Sequence, residues 1–297
     1  MIINTTTLDA IRVGFSKAFK DGLGEVSPMW DKVATKVPSS SRSNKYGWLG
    51  KFPGMRKWLG ERVINSISEH DYTIVNEDWE DTVAVDRNDI EDDTIGVYDP
   101  MMKGLGSAVA GHPDELVWSA LKSGFSNECY DGQNFFDTDH PVLDANGEPT
   151  TVANTDGGSG SAWFLLVTNR PLKPIIYQER KAPNFVALDR PDDNRVFMNK
   201  EFVYGVDYRA AVGYGFWQMA WGSKQTLDET YYEAARVGLQ GMKGDYGRPL
   251  GLSPNLLVVG PSNEKAARKL LMAEARANGE TNVYKGSAEL LVVPWLD

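Results

Sequence analysis

Cysteine is almost absent from this chain of 297 residues. Cys129 stands alone, so no intramolecular disulfide and no cysteine-based zinc site is expected, as befits a reducing compartment. Histidine is scarce too: His70, His112 and His140 leave little material for a His-rich metal site or His-driven catalysis. Positive charge is in deficit, with 31 Lys and Arg against 41 Asp and Glu and a formal charge of −10, which argues against sequence-specific DNA binding. No apolar run approaches the ~20 residues of a membrane span, so no membrane partner is expected. The opening residues lack the basic and apolar regions of a secretory signal.

Aromatic residues are plentiful instead, with 9 Trp, 12 Tyr and 11 Phe, types enriched in cores and at interfaces. Residues 8–21 read as an amphipathic helix, with Leu8, Ile11, Phe15, Ala18 and Phe19 on one face, Thr7 as cap and Gly22 as stop. Residues 27–41 read as extended and loosely ordered, so the first 44 or so form an arm lying on something else. Residues 44–76 carry a long aromatic hairpin, basic near its tip at Lys51, Arg56, Lys57 and Arg62. Short strands follow at 72–75 and 82–85. A helical spine spans 88–123, broken or kinked at Gly111-His112-Pro113, restarting at Pro113-Asp114-Glu115 and stopping at Gly124. The polar, glycine-rich stretch 127–162 reads as a long surface loop or mobile insertion. Strands resume at 163–167, 175–177, 185–188 and through 202–217. In the last quarter, Thr226-Leu227-Asp228-Glu229 reads as a capping box opening a helix to about Met242. Strand 256–259, a helix capped by Ser262 and running to Arg276, and strand 290–293 complete an α/β unit.

Chemical motifs are sparse. Gly104 to Gly111 lacks the Lys-Ser/Thr of a phosphate loop and has no strand before it; small residues in a packed helix explain it better. Neither a Gly-x-Ser-x-Gly elbow nor a His-Glu-x-x-His motif occurs. Asp137, Asp139 and His140 offer two carboxylates and an imidazole to a metal, but without further ligands a hydrogen-bonded loop is the better reading. Glu91, Asp92 and Asp93, or Asp192 and Asp193, are nominees for glycoside chemistry, with Trp48, Trp58 and Trp79 to stack sugars; solvated acids and core or interface tryptophans are the simpler account. Cys129, with no histidine near it in sequence, reads as small and inert.

Several separated segments, in order, carry a resemblance that spans essentially the whole chain. They are Phe52-Pro53-Gly54-Met55-Arg56-Lys57-Trp58-Leu59-Gly60-Glu61-Arg62, Asp131-Gly132-Gln133-Asn134-Phe135-Phe136-Asp137-Thr138-Asp139-His140-Pro141, and Arg170-Pro171-Leu172-Lys173-Pro174-Ile175-Ile176-Tyr177-Gln178-Glu179-Arg180. Val203-Tyr204-Gly205-Val206-Asp207 and Gly247-Arg248-Pro249-Leu250-Gly251 complete the set. The text resembles the major head subunits of Mu-like phages and prophages (the Mu gene product T family), which share the α+β Hong Kong-type tailed-phage capsid fold.

That resemblance implies an N-terminal arm at 1–44, an E-loop hairpin at 45–76, a peripheral domain with spine helix and inserted loop at 77–225, and an axial α/β domain at 226–297. It implies a structural protein without catalytic residues or cofactors. Pentamers and hexamers of it would build an icosahedral head around double-stranded DNA, bound without sequence preference. Scaffold, head protease and portal would be partners, with assembly in the bacterial host cytoplasm and residence in the virion. Expected inter-subunit contact residues are Leu8, Ile11, Phe15 and Phe19 on the arm, and Trp48, Phe52, Met55, Arg56, Trp58, Leu59 and Arg62 on the hairpin. The arm is expected to gain order only on assembly. Because strands 163–222 precede the α/β unit, an altered connectivity is expected, with the C-terminus near the axial domain. Two rival readings remain at this level: an encapsulin-like compartment shell, and a carbohydrate-active enzyme.

Overall fold

A computed structural model describes residues 5–47, 49, 72–92, 96–190, 192–276 and 279–297. The chain opens with helix α1 (Thr5–Glu25), strand β1 (Ala34–Pro38) and the short strands β2 (Ser43–Lys45) and β3 (Thr73–Val75). Strand β4 (Glu77–Asp86) leads into α2 (Arg87–Asp92) and the long α3 (Asp99–Ser123). Next come β5 (His140–Leu143), β6 (Pro149–Val152), β7 (Thr155–Gly158) and β8 (Trp163–Leu166). A long hairpin follows: β9 (Ile175–Leu188), the short helix α4 (Asn194–Asn199) and β10 (Glu201–Tyr214). Strand β11 (Ala220–Lys224), α5 (Glu229–Gln240), the two-residue strands β12 (Lys243–Gly244) and β13 (Arg248–Pro249), β14 (Leu256–Val259), α6 (Pro261–Met272) and β15 (Glu289–Val292) finish the chain. Among the described residues no helix is long and apolar enough to cross a membrane.

Two sheets organise these parts. One is four-stranded, in the order β1-β9-β10-β4, with β1 parallel to β9 and the other pairs antiparallel. Its residues alternate as a half-buried sheet requires: Phe202, Tyr204, Val206, Tyr208 and Ala210 of β10 point inward. The other is five-stranded, in the order β15-β14-β8-β11-β7. The strand grouping expected from sequence is therefore corrected. Strands 163–166 and 220–224 join the terminal α/β unit in one sheet, and the β9–β10 hairpin is an excursion from it. Buried on both faces, β8 and β14 are continuous apolar runs that carry no sign of which sheet they join.

Residues 5–44 are not a detached arm. Leu8 and Phe15 are buried against Val85, Ile90, Met102, Phe202 and Tyr204, with Ile11 packed at the edge, and Phe19 against Leu105, Val109 and Val206. The surface that α1 lies on is its own chain's α3 and four-stranded sheet, and β1 is a strand of that sheet. Gly22 does not end the helix, which runs on to Glu25. A methyl group at Gly22 would overlap the Lys103 carbonyl, and one at Gly106 would overlap the Phe19 carbonyl. These glycines let the two helix backbones touch.

Other expectations shift as well. Helix α3 is continuous through Pro113. The stretch 127–162 is no loose insertion: Phe135, Phe136, His140 and Asn154 are buried, and β5 to β7 run through it. Helix α5 is capped by Asp228, which accepts from Tyr231 N, so the cap sits two residues beyond Thr226. At the start of α6, Ser262 N and Oγ donate to the Asp297 carboxylate at 2.8 Å each, so the last residue supplies the acceptor Ser262 was expected to provide.

Candidate functional site

Among the described residues, the acids nominated for glycoside chemistry form no carboxylate pair. Asp193 accepts from Arg190 N, closing a turn, and Asp92 is exposed; Asp93 lies outside the described residues. Trp79 Nε1 donates to Ala210 O and its ring packs against His112 at a steep angle. The glycines at 104, 106 and 111 all lie within α3.

Of the expected contact residues, Leu8, Phe15 and Phe19 are buried in the chain's own core and Ile11 lies at its edge. Trp48, Phe52, Met55, Arg56, Trp58, Leu59 and Arg62 lie outside the described residues. The stem on either side of that segment is described. β2 pairs antiparallel with β3, and Leu49 is buried beside it. A buried polar chain ties this stem to the sheet: Tyr46 Oη donates to Gln178 Oε1 at 2.7 Å, and Gln178 Nε2 donates to Asn76 Oδ1 at 2.8 Å. Asn76 Nδ2 in turn donates to Ser39 Oγ at 2.9 Å. Fully satisfied buried polar groups of this kind set a unique geometry. The position of Gln178 in a strand that also carries surface positions gave no sequence signal for this role.

An apolar surface appears where the sequence marked none. Between β9 and β10, α4 buries Val196 and leaves Phe197 and Met198 at 80% and 71% exposure. Val186 and Leu188 of β9 are exposed as well. Large apolar side chains left in water mark contact surfaces when they cluster.

As the hydrogen-bonded-loop reading expects, the Asp137 and Asp139 side chains hydrogen-bond each other, and Asp137 also accepts from Thr138 N at 2.7 Å. His140 Nδ1 instead meets Asp131 Oδ2 at 2.8 Å, and the Cys129 thiol donates to Asp131 Oδ1 at 3.1 Å. Burial pushes the Asp131 carboxyl up, but hydrogen bonds with His140, Cys129 and Gln133 N outweigh it and hold it below the usual carboxylate value. Burial and the neighbouring carboxylate push the Cys129 thiol far up, so it is no free nucleophile. The signal that could have found this group is Cys-x-Asp followed nine residues later by His.

The whole chain has relatives. A family model described as the Mu-like prophage major head subunit gpT matches residues 8–296. The major capsid protein of Escherichia phage Mu is 42% identical over 305 aligned positions, covering 100% of both chains. The Mu-like prophage FluMu major head subunit of Haemophilus influenzae is 46% identical over 275 positions, covering 90% of this chain and 89% of that one. Among solved structures, a chain from the procapsid of bacteriophage JBD30 superposes with a TM-score of 0.88 at 45% identity, over 99% of this chain and 100% of that one. The α+β architecture is thus a phage capsid fold, and the chain belongs to the Mu-like prophage major head subunit gpT family, a family of major capsid proteins and not of enzymes.

Proposed function

We propose that many copies of this chain tile a closed icosahedral head, as pentamers and hexamers, around double-stranded phage DNA. The observation that carries this reading is the near full-length likeness to a chain taken from an assembled procapsid. The exposed Phe197 and Met198, and the aromatic, basic segment 51–62 on its anchored stem, supply contact chemistry. The segment 45–76 straps a neighbouring subunit, and the wall stays acidic, so packaged DNA slides and does not adhere. Scaffold, head protease and portal are the partners, and assembly takes place in the bacterial host cytoplasm. Electron microscopy of heads built from this chain tests the reading. Five-fold and six-fold capsomers enclosing nuclease-protected DNA are expected; shells that enclose only protein, or oligomers of a few subunits, would overturn it.

A further inference from the structure

Cys129 and Asp131 stand in the tight turn after α3, where Cys129 N donates to Gln133 O and Gly132 N to Cys129 O. His140 opens β5. Their three donor atoms, thiol sulfur, carboxylate oxygen and Nδ1, lie within 4.8 Å of one another. Cys129 is 5% exposed and His140 is fully buried.

The proton positions on His140 follow from its neighbour Asn154. Asn154 Nδ2 donates to Phe135 O at 2.8 Å and to Trp217 O at 3.3 Å, while its Oδ1 accepts from Asp137 N at 2.9 Å. Reversing the amide would set an NH2 against an N–H and an oxygen against two carbonyls, so its orientation is determined. Asn154 Oδ1 lies 3.2 Å from His140 Nε2, which must therefore carry a hydrogen. An amide oxygen receiving the outer ring N–H is the usual backing of a metal-bound histidine. Trp217 stacks on the imidazole at 3.9 Å and 8°, holding its plane. Nδ1 faces Asp131 Oδ2 at 2.8 Å, a contact that either a proton on Nδ1 or a metal ion shared by the two atoms can hold.

We infer that Cys129, Asp131 and His140 bind one divalent transition-metal ion of the zinc type inside each subunit. One cysteine cannot build a site from thiolates alone; a mixed sulfur, nitrogen and oxygen set suits zinc or cobalt and not magnesium or calcium. Thiolate and carboxylate together balance the ion's two charges, the state a buried site favours. Binding releases the thiol proton and the proton shared between His140 and Asp131. The ion would cross-link the turn after α3 to β5 and, through Asn154, to the Trp217 carbonyl just before β11.

Cobalt titration of the full chain, stripped with a chelator, tests this. One equivalent should give tetrahedral d–d bands and a thiolate-to-cobalt charge-transfer band, and zinc should displace it. Cys129→Ala, a small change in a buried turn, should remove the charge-transfer band and weaken binding at least about tenfold. Elemental analysis of chain purified without chelator should find zinc near one per subunit. Folded protein that takes up no cobalt, or binds it without the sulfur band, would overturn the inference and leave a proton holding Nδ1 to Oδ2.

Discussion

Asp114 accepts three hydrogen bonds that no local motif announces. It is buried on α3, and its carboxylate takes the backbone N–H of Met29 and Trp30 and the indole N–H of Trp118. In sequence it reads as the first turn of a restarted helix; in the fold the helix never stopped, and the carboxylate pins the chain that enters β1. Met29 and Trp30 lie 85 and 84 residues away, a distance no local pattern encodes. Asp114→Ala strands those donors and should lower unfolding free energy by about 3 kcal/mol, read from denaturant midpoints at constant slope. Tyr72 supplies a pH test. Its hydroxyl oxygen accepts from Tyr214 N at 2.7 Å, and burial pushes its ionisation up to about 12. An unfolded tyrosine ionises near ~10, so the folded value is the higher. The stability it contributes is complete below the unfolded value and is lost as pH climbs toward the folded one. Ionisation of Tyr72 itself should therefore accompany loss of structure; its free ionisation in a folded subunit near pH 10 would contradict this.

Elements with strong periodicity were legible, and those depending on distant partners were not. Helix α1 shows in the spacing of Leu8, Phe15 and Phe19, and β10 in its alternation, because one buried face imposes a period. What α1 packs on was not legible, since an apolar stripe fits a neighbour's surface as well as its own chain's. Gly22 read as a stop because glycine serves both helix ends and helix crossings, and only α3 distinguishes them. Gly22→Ala or Gly106→Ala should push the helices apart and cost about 1–3 kcal/mol. Gly14→Ala and Gly24→Ala, whose added methyl meets nothing within 4 Å, should stabilise by about 0.5–1 kcal/mol. Thermal melts of the four variants check the contrast. The stretch 127–162 hid its order because Phe135, Phe136 and His140 are held by the turn hydrogen bonds of Asp131 and Asn154, which have no period.

At the scale of the molecule, family and fold were legible because short, separated segments keep their order along the whole chain. The candidate site was only partly so: the hairpin residues Trp48 to Arg62 rest on sequence, while Phe197 and Met198 emerged from the fold. Both belong to one claim, that this subunit is folded alone and completed by copies of itself. Trp58→Ala should remove about 2 kcal/mol per subunit contact, enough to block closure when repeated around a shell, and leave the monomer's circular dichroism unchanged. Replacing Lys57 with Ala should cost at most ~1 kcal/mol, the worth of an exposed ion pair. The most direct measurement is sedimentation of the purified full-length chain, with the fast fraction imaged by electron microscopy. The account predicts closed shells of many subunits for the unaltered chain and folded small species for Trp58→Ala. Folded unaltered protein that remains monomeric or forms only small oligomers under every assembly condition would contradict it.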